Sequence, residues 1–180
     1  IRKITSPEGL GMSPRRITVS TSGIPKMMKM LADENLKVKL ALSLHSAIEH
    51  KRNDIMPFSS KFPLTEIMDA LQYWYRQTGS PITFEYCVWG GINDTDEDIK
   101  ALIKYCRQVP SKVNLIQYNP IGEGKYDHRN IEAEERYVHE LEKAGITIVV
   151  RRSRGGDIDA ACGQLANTHS RKEATGVAGT

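Results

Sequence analysis

The chain has little sulfur, no long apolar run and only a small excess of charge. Its three cysteines, Cys87, Cys106 and Cys162, are odd in number and widely spaced. That excludes the dense disulfide framework of small secreted domains and fits reduced thiols in the cytoplasm. None of them stands in a C-x-x-C or C-x-x-x-C spacing, so no metal or iron–sulfur site can be assembled from these residues. No apolar run approaches the roughly 18 residues of a membrane span, and no secretory leader opens the sequence. A membrane is therefore not an expected partner. The formal charge of +3 permits a nucleic-acid partner without arguing for one.

What is present is an ordinary globular composition. With 180 residues, 39% hydrophobic and 26% charged, the chain can build one domain with a sizeable core. It opens on Ile1, as a piece of a longer protein would. Five strand-like runs, near Ile17–Ser22, Val38–His45, Ile82–Trp89, Val113–Asn119 and Ile146–Arg152, alternate with helical patterns. The helices are predicted near Pro25–Glu34, Leu64–Thr78, from Thr95 onward, and near Glu132–Ala144. Thr95-Asp96-Glu97-Asp98 has the form of a capping box, with acids at the positive helix end. Ile99, Leu102, Ile103 and Cys106 follow as an apolar stripe, which makes Cys106 a packing residue.

Strands separated by helices imply a parallel sheet with right-handed crossovers. The fold class is α/β, either an open doubly wound sheet or part of a β/α barrel. Strands of a doubly wound sheet are apolar on both faces, because helices cover both. Here the faces differ: Val38, Leu40, Leu42 and Leu44 oppose Lys39, Ala41, Ser43 and His45, and Phe84 and Val88 oppose Glu85 and Cys87. One polar face suits a ligand-holding lumen, so a partial parallel barrel is expected, with Ile17–Ser22 at one end of the arc. Residues 1–165 form that unit. The polar tail over 166–180 reads as disordered.

In such folds ligands bind at the carboxyl ends of the strands. Those ends carry Ser20-Thr21-Ser22-Gly23, Ser43-Leu44-His45 and Tyr118-Asn119-Pro120 with Gly122 and Gly124 beyond. Hydroxyls, an imidazole and an amide suit a zwitterionic amino acid joined to a ribose. Each has a plainer explanation: a satisfied structural histidine, or a helix cap with a turn glycine. After the last strand come Arg151, Arg152 and Arg154, then Gly155-Gly156, and Cys162 among Ala160, Ala161 and Gly163. Guanidinium groups favour a thiolate and small neighbours leave the sulfur room to react. A small core cysteine is the alternative.

Together these segments carry a resemblance. P-R-R-I-T-V-S-T-S-G, L-S-L-H, Y-N-P-x-G and R-x-x-R-G-x-D-I-D-A-A-C-G-Q-L occur here in the order and close to the spacing of the RlmN family. These are radical S-adenosylmethionine (SAM) enzymes that methylate C2 of adenine in 23S ribosomal RNA and in some transfer RNAs. The likeness runs from about residue 12 to 165. It implies a radical SAM barrel, with Ser20, Ser43, Leu44, His45 and Asn119 contacting SAM and Cys162 carrying the methyl group. It also implies a [4Fe–4S] cluster and a cellular electron donor. A hydrogen taken from the methyl on sulfur would leave a carbon radical that adds to adenine C2, a position too weakly acidic and nucleophilic for polar transfer. The family's C-x-x-x-C-x-x-C loop, its G-E-P motif and its second catalytic cysteine are not in this chain, which therefore resembles the C-terminal part, by itself expected to be inactive. The alternatives are a Cfr-like C8 methyltransferase and a non-catalytic half barrel that binds SAM or RNA. An upstream cysteine triad in the full reading frame would separate the last from an enzyme.

Overall fold

The computed structural model describes residues 1–117 and 130–151. The chain opens with a short helix α1 (Arg2–Thr5), then alternates β1 (Thr18–Thr21), α2 (Pro25–Asp33), β2 (Lys39–Ser43), α3 (Glu49–Ile55), α4 (Leu64–Thr78), β3 (Ile82–Cys87), α5 (Asp96–Cys106), β4 (Ser111–Ile116), α6 (Ile131–Lys143) and β5 (Thr147–Arg151). All four strand pairings are parallel, and the sheet order is β1-β2-β3-β4-β5.

That order decides between the two architectures. A doubly wound sheet reverses its strand order at a switch point, whereas same-handed crossovers between successive neighbours put every helix on one face. Burial agrees. Leu40, Leu42, Leu44, Ile82, Phe84, Tyr86, Val113 and Leu115 are all 0% exposed. They form one core with Met28, Ile67, Leu71, Trp74, Leu102, Tyr137 and Leu141 from the helices. Each such side chain removed from water contributes about 1.5–3 kcal/mol before entropy is counted. The other face carries Ser20, Ala41, Thr83 and Lys112 in one register row, and Ser43, Glu85 and Asn114 in the next. It is polar, as the sequence alternation indicates, and β1 lies at one end of the arc.

The helices have local causes. Thr95 Oγ1 accepts the Asp98 N–H and the Asp98 carboxylate accepts the Thr95 N–H, completing the capping box of α5. Asn130 caps α6 through the Ala133 N–H at 3.0 Å. Gly79 ends α4 in the left-handed region at φ 64°, where a Cβ would be strained. Cys106 is 4% exposed in the core, and burial pushes its thiol up to about 12. Helix α3 has no counterpart in the sequence pattern, because Glu49-His50-Lys51-Arg52-Asn53-Asp54 carries no apolar stripe. Among the described residues no helix is long and apolar enough to cross a membrane. The predicted residues Asn119 and Cys162, Arg152 and Arg154, and the 166–180 tail all lie outside the described residues.

Candidate functional site

The carboxyl end of β1 turns sharply. The Gly23 N–H donates to Thr21 Oγ1 at 3.1 Å, and Gly23 has φ +94°, with Leu42 and Ile67 3.0 Å from where a Cβ would stand. Helix α2 has Ile24 at its N-cap and no side-chain cap bond. Within Ser-Thr-Ser-Gly the Thr21 hydroxyl thus closes a turn before the helix, and no side chain caps it. Ser20 is exposed on the polar face. Beneath the turn, Arg52 is fully buried and its Nη2 donates to the Ser22 carbonyl at 2.7 Å. Burial works against the Arg52 charge, and Tyr105 and Glu49 partly offset this.

The carboxyl end of β2 is shaped by three neighbours. The Leu44 N–H donates to the Glu85 carbonyl at 3.0 Å, and the Ser46 N–H donates to the Leu44 carbonyl at 2.7 Å. Leu44 is 0% exposed on the helix side, so only its backbone faces the strand ends. His45 then takes the left-handed conformation, φ 57°. Its Nδ1 accepts the Cys87 N–H at 3.2 Å, and its ring meets the Trp89 ring edge-on at 5.5 Å. An Nδ1 that accepts carries no proton, so the neutral ring bears its hydrogen on Nε2. Ser43 stands half-buried on the polar face in register with Glu85.

Asn93 ties these ends together. It is 0% exposed. Its Oδ1 accepts the Trp89 N–H at 2.8 Å, and its Nδ2 donates to the His45 carbonyl at 2.6 Å and the Cys87 carbonyl at 2.8 Å. Tyr137 Oη donates to the Asn93 carbonyl at 2.8 Å, which links α6 to the same hub. On the polar face, Asn114 Nδ2 donates to Glu85 Oε1 at 2.9 Å, and Arg151 Nη1 lies 3.9 Å from Glu85 Oε2.

The structure therefore brings Ser20, Ser43 and His45 to one end of one sheet, with Leu44 present through its backbone alone. The supports Arg52 and Asn93 escaped the sequence reading. Arg52 lies in a helix with no pattern to reveal it. Asn93 had a faint signal, a polar turn residue in Gly90-Gly91-Ile92-Asn93-Asp94 directly after a strand. The arrangement offers hydroxyl, amide, carboxylate and imidazole groups around an open polar surface, which fits SAM. It does not fit an iron–sulfur cluster: Cys87 ends β3, whereas Cys106 lies in the helix layer. Among the described residues no group of His, Cys, Asp or Glu could hold a metal ion. A groove of about 700 Å³ runs between α5 and α6, lined by Ile99, Ile103, Glu135 and His139 among others. It sits in the outer helix layer, apart from the strand ends.

Burial first, and the Arg52 charge second, lower the His45 pKa from 6.5 to about 4. The unfolded chain then binds the proton more readily. Stability should be full above about pH 6.5, fall as pH drops toward 4, and level off below, a total of about 3 kcal/mol. Urea unfolding at several pH values should show this slope, and His45→Asn, which tolerates the left-handed backbone, should remove it. An unchanged slope in His45→Asn would assign the effect to other groups.

No protein-family model matches the chain. Curated relatives do. A probable dual-specificity RNA methyltransferase RlmN from Christiangramia forsetii is 62% identical over 167 residues, 93% of this chain and 47% of the relative. Its counterpart from Flavobacterium psychrophilum is 60% identical, over 93% of this chain and 48% of the relative. The crystal structure of a radical SAM methyltransferase from Sphaerobacter thermophilus superposes with a TM-score of 0.84 at 38% identity, over 89% of this chain and 47% of that one. The chain thus spans about half the length of the curated relatives it matches, and the part it matches is their C-terminal half.

Proposed function

We propose that the chain is the C-terminal part of a radical SAM methyltransferase of the RlmN family, one that methylates C2 of adenine in 23S ribosomal RNA and some transfer RNAs. The curated relatives and the Sphaerobacter thermophilus structure, each matched over about half its length, support this reading. The observation that carries the proposal is the convergence of Ser20, Ser43 and His45 on the polar end of a sequential parallel sheet. Ser20 and Ser43 supply hydroxyls to the ribose and amino-acid parts of SAM. His45 supplies a neutral Nε2–H, which binds an acceptor without adding a second positive charge beside the sulfonium. Leu44 shapes the loop through its backbone, and Asn119, which follows β4 in the sequence, adds an amide. SAM supplies the methyl group, and Cys162 holds it on sulfur before it reaches the adenine. The iron–sulfur ligands are not among this chain's residues, so the steps that need the cluster and an electron donor belong to the rest of the protein.

Intact protein purified with SAM should carry one methyl group on the peptide containing Cys162 and none on those of Cys87 or Cys106. Peptide mass spectrometry reads this directly. Methyl found on Cys87, or on no cysteine after turnover with SAM, would remove the carrier role and favour a binding module.

A further inference from the structure

Glu85 is the one carboxylate at the centre of the described polar face, and it is not among the proposed SAM contacts. Its strand neighbours in register are Ser43 on β2 and Asn114 on β4. The Asn114 amide fixes Oε1 at 2.9 Å. Oε2 is buried and has no hydrogen-bond partner among the described residues. Arg151 stands 3.9 Å away, beyond hydrogen-bond reach, with its own side chain 63% exposed and so free to swing aside. Leaving a buried acceptor oxygen without a hydrogen-bond donor is costly, which makes such an oxygen the signature of a missing donor.

The surroundings select the donor. A second cation, such as an ammonium, would compete with the Arg151 charge already beside Oε2. A neutral hydroxyl would not, and a carboxylate with an adjacent Ser hydroxyl and Asn amide is suited to a vicinal diol, as where an acidic side chain binds a ribose hydroxyl.

We infer that Glu85, oriented by Asn114, accepts a hydrogen bond from the ribose hydroxyls of bound SAM. This rests on the SAM-binding reading given above. RNA offers the same ribose chemistry, and the test separates the two sources. Intact protein is titrated calorimetrically with S-adenosylhomocysteine, with its 2′-deoxy and 3′-deoxy counterparts, and with an adenosine-containing RNA hairpin. Wild-type protein should lose about tenfold or more on at least one deoxy compound. Glu85→Gln should bind S-adenosylhomocysteine about tenfold to a hundredfold more weakly and no longer distinguish that deoxy compound. Asn114→Ser, which keeps the carboxylate but frees it to rotate, should show a smaller loss with the same pattern, and carries the test if Glu85→Gln does not fold. Wild-type affinity or full deoxy discrimination in both variants overturns the assignment, as does a loss confined to the RNA hairpin. Wild-type protein that binds no S-adenosylhomocysteine overturns the SAM-site reading instead.

Discussion

Cys162→Ala in the intact protein is expected to lower adenine methylation by about a thousandfold or more, because the proposed methyl carrier has no substitute. SAM affinity should stay within about twofold, since the proposed SAM contacts are Ser20, Ser43, the Leu44 backbone, His45 and Asn119. Among the other thiols, Cys106 is excluded by burial: it lies in the core at 4% exposure and its thiol is held near 12. Cys106→Ala is therefore the control that should keep activity, at some cost in stability from the small cavity it leaves. Methylation measured by incorporation from labelled SAM, alongside calorimetric SAM binding, separates the outcomes. A normal rate in Cys162→Ala would end the carrier role.

Asn93→Ala is expected to be the most destabilising single change at the site, by about 3–6 kcal/mol. The side chain makes three hydrogen bonds, all to backbone groups: buried ones with the Trp89 N–H and the Cys87 carbonyl, and a partly buried one with the His45 carbonyl. Each costs about 1–3 kcal/mol when its partner vanishes without water to replace it. The loss should appear as a lower urea midpoint with an unchanged slope. Asn93→Asp should not rescue it, because a carboxylate can accept from Trp89 but would face two carbonyl oxygens. A midpoint for Asn93→Ala within about 1 kcal/mol of wild type would mean that the strand-end loops hold their shape without this hub.

The framework was legible in the sequence for a physical reason. The strands alternate between an apolar and a polar face, and the long helices carry both a stripe and a stop, so periodicity located all five strands and α2, α4, α5 and α6. The same alternation pointed to a barrel arc, since Leu40, Leu42 and Leu44 faced one way and Ser43 and His45 the other. Helix α3 was not legible. Its one buried side chain is Arg52, whose place is set by a carbonyl 30 residues earlier, and no local pattern encodes that. Ser20, Ser43 and His45 were visible as polar groups at strand ends. The orientation of Leu44 away from the polar face, and the His45 proton on Nε2, depend on partners at Glu85 and Cys87, so they emerge only when β2 and β3 are laid side by side.

The sequential strand order also bears on how the molecule comes together. Each strand pairs with the strand that precedes it in the chain, so no pairing has to wait for a segment more than one crossover away. Growth can proceed unit by unit from any early β-α-β pair, with the helix layer sealing as each crossover docks. Candidate ligand groups, by contrast, are spread one or two per strand end across the whole arc. The apolar core can therefore be largely formed while the ligand face is still missing its last members, and arrest before β5 docks would leave a compact chain without a complete site.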